Sequence, residues 1–208
     1  MARLILSEDN TELRKAVTEV SRDSTHKDIS HFNLLFYNTQ PVAEDGYTRY
    51  NPMITYNLTE IVPAADFQSI DFDKLTQGDK NRAIGISSLV RLSDGKVRHI
   101  KQLDIDNQFS VSSFFKSVSD IAIKMAGNYR EKNCRGYLVN SGSGYHYYEE
   151  GLLEQSQWQE WIENAKKSGL VDKKWINLSL QREYSVLRIN STTQKPSAPV
   201  VLCKFALE

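Results

Sequence analysis

The order in which apolar periodicity changes between Val97 and Ile189 constrains the fold more than any other feature of the sequence. Val97 to Asp104 reads as a strand. A stretch capped by Ser112 or Ser113 then carries Phe114, Val118, Ile121 and Met125 at helical spacing and stops near Gly127-Asn128. Gly136 to Asn140 and Tyr145 to Tyr148 read as two strands, Ser156 to Gly169 as a second helix burying Trp158, Trp161, Ile162 and Ala165, and Tyr184 to Ile189 as a last strand after a short helix, Lys173 to Leu180. Strand, helix, strand, strand, helix, strand is the βαββαβ order of ferredoxin-like and RNA-recognition-motif folds. With right-handed crossovers that each skip one strand, the sheet order is fourth, first, third, second. The strand ending in Asp104 is then expected between the strands bearing His146 and Arg188.

Upstream, Ile84 to Leu92 is a strand, and Asp94-Gly95 predicts a primed hairpin turn into Val97. Ser7 is expected to cap a first helix running to about Arg22, with Leu13, Val17 and Val20 at helical spacing. His31 to Tyr37 and Met53 to Leu58 read as strands around a polar stretch from Asn38 to Asn51; Val62 to Arg82 reads as irregular or short helix, and Val200 to Phe205 as one more strand. The expected chain is therefore α+β: an N-terminal αβ unit, residues 1–82, packed with a βαββαβ unit, residues 83–208, in one compact domain.

Composition excludes some functions. No stretch approaches the roughly 18 consecutive apolar residues of a membrane span, and the short apolar run Leu4-Ile5-Leu6 leads into Glu8-Asp9. A cytoplasmic protein without membrane contact is expected. Lys and Arg number 26 and Asp and Glu 26, and this zero net charge argues against a non-specific coat for nucleic acid while leaving a local basic groove open. The two cysteines, Cys134 and Cys203, stand in no zinc or disulfide pattern and read as small buried residues.

Chemistry concentrates at three places. On a strand, alternate side chains share a face, so Asp104 and Asp106 project two carboxylates to one side while Leu103 and Ile105 take the other. Hard divalent cations take such oxygens, although a solvated strand end has the same pattern, and Asp71-Phe72-Asp73 repeats it in what reads as a turn or helix cap. The run Ser141-Gly142-Ser143-Gly144-Tyr145-His146 offers a hydroxyl, glycines that let backbone amides approach an anion, and an imidazole; its bland account is a hairpin turn with an incidental histidine. Asp172 precedes a helix, where an aspartate ordinarily caps, and Arg188 interrupts the apolar run Val186-Leu187-Arg188-Ile189 and needs a carboxylate or phosphate partner.

With these residues assembled, the stretch from Val97 to Lys195 resembles the archaeo-eukaryotic primase superfamily. Asp104 and Asp106 match its acidic pair, Ser141 and His146 its Ser-and-His motif, and Val171-Asp172 its third carboxylate, with Leu187-Arg188-Ile189 similar to the basic strand that often follows. Gly142 and Ser143 stand where some primases carry arginines. The resemblance implies metal-dependent nucleotidyl transfer. Asp104, Asp106 and Asp172 would be catalytic and would hold two Mg²⁺ or Mn²⁺ ions, and Ser141, Gly144, His146 and Arg188 would bind the nucleotide. Nucleoside triphosphates and a DNA or RNA template and primer are the implied partners, with replication or repair proteins beside them. A nucleotide-binding relative without synthesis, and a glycosyltransferase using the Asp-x-Asp on a nucleotide-sugar, are the alternatives.

Overall fold

A computed structural model describes residues 4–8, 12–21, 28–38, 58–106, 134–142, 144–169 and 171–207. The expected helix from Ser112 or Ser113, the stretch from Asn38 to Asn51 except its first residue, and nearly all of the expected strand Met53 to Leu58 lie outside them. The described elements are β1 (Leu4–Glu8), α1 (Leu13–Val20), β2 (Ile29–Asn38), β3 (Leu58–Pro63), α2 (Ala64–Phe67), α3 (Phe72–Thr76), β4 (Arg82–Leu92), β5 (Val97–Asp106), β6 (Cys134–Asn140), β7 (Gly144–Leu153), α4 (Gln155–Ser168), α5 (Lys173–Arg182), β8 (Val186–Arg188) and β9 (Val200–Leu207). The fold is α+β. Eight strands form one antiparallel sheet in the order β1-β9-β6-β7-β5-β4-β2-β3, and β8 adds to β4.

Three of the four expected strands lie in the expected order, since β6, β7 and β5 run second, third, first. The fourth differs. β8 pairs with β4 through Gly85↔Arg188, Ile86↔Leu187 and Ser87↔Val186, and not with β5. Glycine at position 85 permits this approach, because a Cβ there would overlap Val186 Cγ1. β4 and β5 in turn pair only from Leu89 to Arg91 against Val97 to His99, so the two strands part beyond the hairpin.

The chain start also differs from expectation. Ser7 lies in β1, which pairs along β9, and the helix begins only at Leu13 behind Glu12. β-prone Leu4-Ile5-Leu6 finds a strand partner some 200 residues away, which a local capping signal cannot foresee. The hairpin turn is not of the primed type: Gly95 alone has positive φ (+82°) and its amide donates to the Leu92 carbonyl (2.9 Å), giving a three-residue loop with a left-handed glycine. α4 begins at Gln155, one residue before the expected Ser156, with Glu154 and Gln157 forming its capping box. β7 runs on to Leu153, past the expected Tyr148, and on it Glu149 pairs with Lys101 (2.6 Å) in a buried ion pair and also accepts from the Tyr147 hydroxyl (2.6 Å). Asp71 caps α3, as expected.

Two cores flank the sheet. Ala16, Val17 and Val20 of α1 join Phe32, Phe67, Ile84, Ile86, Ile100, Tyr137 and Tyr148 in one; Trp158, Trp161 and Ile162 of α4 join Leu103, Ile105, Tyr147, Ile176 and Phe205 in the other. Both cysteines are buried free thiols. No helix among the described residues is long and apolar enough to cross a membrane.

Candidate active site

Alternation along β5 sends Leu103 and Ile105 toward α4 and leaves Gln102 and Asp104 on the face that carries Ile100. Asp104 lies directly opposite His146 on β7, and Gln102 directly opposite Tyr148. On the other side of β5, an antiparallel bridge joins Ile105 to Val171, and the Asp172 amide donates to the Asp104 carbonyl (3.0 Å). That bridge sets Asp172 next to Asp104. His146, Asp104 and Asp172, distant in sequence, thus form one row across three chain segments. Asp106 ends β5 opposite Gly144; its side chain lies outside the described residues.

The Ser141 turn is held from several directions. The Ser141 amide donates to the Gly144 carbonyl (3.0 Å), and the Gly142 amide, at φ +95°, donates to Asn140 Oδ1 (2.8 Å). A Cβ on Gly144 would stand 2.7 Å from the Ile105 carbonyl oxygen, so glycine lets the turn close against the end of β5. Ser143 lies outside the described residues.

Arg188 is buried, and its guanidinium grips backbone. Nη2 donates to the Ser141 carbonyl (2.6 Å), and Nη1 donates to the carbonyls of Ser197 (3.2 Å) and Asn190. Burial lowers its pKa, while Tyr37 and the Asp104 charge pull it back up. The buried cation that the sequence flagged as needing a partner therefore finds carbonyl dipoles as well as a neighbouring carboxylate, and it ties the Ser141 turn to the loop after β8.

His146 is pushed down to about 3, first by burial and then by the positive charges of Arg188 and Lys195, so its ring is neutral at physiological pH. Tyr148, fully buried on the same face, is held above its ordinary range by burial first and the Asp104 charge second. Asp172 is half-buried, and its Oδ1 accepts from the Trp175 amide (2.6 Å) as the cap of α5; a carboxylate keeps further lone pairs. Among the described residues, no three His, Cys, Asp or Glu side chains converge as a metal-binding group.

The structure thus brings Asp104, His146 and Asp172 into one row, with Ser141, Gly144 and Arg188 locked to the adjoining turn. The sequence alone gives no site role to Gln102 or Lys195. The signal for Gln102 was position: it lies two residues from Asp104 on the same strand, and hence on its face.

A family model described as AEP-like, archaeo-eukaryotic primase 1D-like, matches residues 63–200, about two-thirds of the chain. Comparison with curated proteins and with solved structures returns no match.

Proposed function

The chain belongs to the archaeo-eukaryotic primase-like family, and from that premise we propose that it is a metal-dependent nucleotidyltransferase of primase or polymerase type, adding nucleotides from a triphosphate to a 3′-hydroxyl on a nucleic-acid template. The observation that carries this reading is the row His146, Asp104 and Asp172 at the end of β5, with the Arg188-bound Ser141 turn beside it.

The donor set suits a hard cation, since it consists of carboxylates on adjacent backbone segments beside a turn of anion-binding character. Asp104, Asp106 and Asp172 would hold two Mg²⁺ or Mn²⁺ ions, which when bound supply charge stabilisation and an activated hydroxyl. The residues of the chain do the positioning. Ser141 and Gly144 present the turn to the triphosphate, and His146 offers a neutral hydrogen-bond donor. Arg188 places a fixed positive charge behind the turn and holds its shape through Ser141. Orientation and charge stabilisation, with no covalent intermediate on the protein, account for the catalysis.

The test is incorporation of labelled nucleotides on a primed template with Mg²⁺ or Mn²⁺. Wild type should extend the primer, and the Asp104→Ala/Asp106→Ala variant should not; extension by that variant would refute the assignment. A second reading, a nucleotide-binding member without synthesis, is favoured by the commitment of Arg188 donors to three backbone carbonyls. Calorimetric binding of triphosphate by a wild type that fails to extend would select it.

A further inference from the structure

Gln102 and Tyr148 form the cross-strand pair next to Asp104 and His146 on the same face. Both are 0% exposed, and His146 is 4% exposed. Gln102 Nε2 donates to the Ile86 carbonyl (3.3 Å) and to Ser185 Oγ (3.2 Å). Since a carbonyl only accepts, these contacts orient the amide and leave Oε1 as the free end. Gln102 Oε1, the Tyr148 hydroxyl and His146 Nδ1 are sealed from solvent, and none has a hydrogen-bond partner among the described residues. The rings of His146 and Tyr148 meet edge to face, with centroids 6.4 Å apart. Buried polar groups are ordinarily paired with protein or with ordered water. Here three unpaired ones occupy neighbouring positions on one sheet face, the setting in which a buried water makes about three bonds.

We propose that Gln102, Tyr148 and His146 close on one buried water, and that this water holds neutral His146 in the tautomer protonated on Nε2. Counting hydrogens selects the tautomer. The phenol O–H donates to the water oxygen, and the two water hydrogens go to Gln102 Oε1 and to His146 Nδ1. Only a water lone pair is left over. With the proton on Nδ1, the imidazole would be a second donor to the same water, and one water hydrogen would lack an acceptor. Buried unmatched donors are rarer than under-used acceptors. His146 Nε2, the other ring nitrogen, then carries the N–H as a donor to an anion. Gln102 and Tyr148 act through His146 and are positioning residues. The identity of the anion as a triphosphate rests on the function proposed above; the water and the tautomer do not.

The closing experiment reads the tautomer without nucleotide. Nitrogen NMR of the full chain labelled with ¹⁵N-histidine should show His146 protonated on Nε2 and unprotonated on Nδ1 at neutral pH. A proton on Nδ1, or on both nitrogens, would overturn the proposal. Tyr148→Phe and Gln102→Met each remove one partner of the water at nearly constant volume, so both should shift the His146 Nδ1 resonance while leaving His99 unmoved. An unmoved His146 Nδ1 in whichever variant folds would also overturn it. Triphosphate titration of the wild type separates the two readings: an Nε2-protonated His146 that does not respond to nucleotide keeps the water and rejects the triphosphate.

Discussion

His99 on β5 and His146 on β7 are two buried histidines of the same sheet with opposite surroundings. His99 is fully engaged: Ser88 Oγ stands 3.1 Å from Nδ1, Nε2 donates to Gln155 Oε1 (2.6 Å), and the ring stacks on Trp158 at 4.6 Å. The chain of bonds continues, since Ser88 Oγ accepts from the Ser185 amide (3.1 Å) and Gln155 Nε2 donates to the Glu183 carbonyl (3.3 Å). His146 Nδ1 has no hydrogen-bond partner among the described residues, the positive charges of Arg188 and Lys195 act on the ring, and Asp104 lies opposite on β5. The contrast separates two uses of one side chain. His99 spends its hydrogen-bonding capacity on joining β4, β5 and α4, whereas His146 keeps a donor available beside Asp104.

The largest effect expected is on activity: Asp104→Ala/Asp106→Ala should bring nucleotide incorporation to background while circular dichroism and the urea midpoint stay near wild type. Next, His99→Ala should cost roughly 2–4 kcal/mol of stability, from lost packing and a broken relay, measured by urea unfolding, with activity retained at low temperature. His146→Ala should do the reverse, weakening triphosphate binding about ten- to a hundredfold, the worth of one hydrogen bond to a charged group. If His99→Ala abolished binding at full foldedness, the division between the two histidines would collapse.

Acid should expose both rings together. The folded-state pKa values, about 4 for His99 and about 3 for His146, lie below the unfolded value of 6.5. The unfolded chain therefore binds more protons, and the stability contributed by each neutral ring is present above pH 6.5 and falls as pH drops toward 4. Within that window the slope should approach two protons, about 2.7 kcal/mol per pH unit, and should drop by one in either histidine variant. Urea titrations at several pH values measure it. The smallest stability effect belongs to Asp172→Asn, because asparagine caps helices as well as aspartate does. A shift within about 0.5 kcal/mol is expected. A fall in incorporation in that variant, at unchanged stability, would mark Asp172 as more than a cap.

The pairing of Asp104 with His146 was legible in the sequence because both sit on strands with clear alternation, joined through short local signals. Gly169 likewise ends α4 in a left-handed conformation where a helix stop was expected. What escaped was long-range pairing. β1 meets β9 across nearly the whole chain, and β8 chose β4 because Gly85 admits Val186, a fit no periodicity encodes. The role of Arg188 escaped for a related reason: its partners are three backbone carbonyls, in the Ser141 turn and in the loop after β8, and carbonyls leave no mark in a sequence.

The parting of β4 from β5 leaves a seam beside the carboxylate row. Beyond the hairpin, Gln102 reaches across it to the Ile86 carbonyl and to Ser185, a stitch of side chain in place of a ladder. Loss of that one amide's contacts would therefore loosen the seam and leave every strand pairing whole.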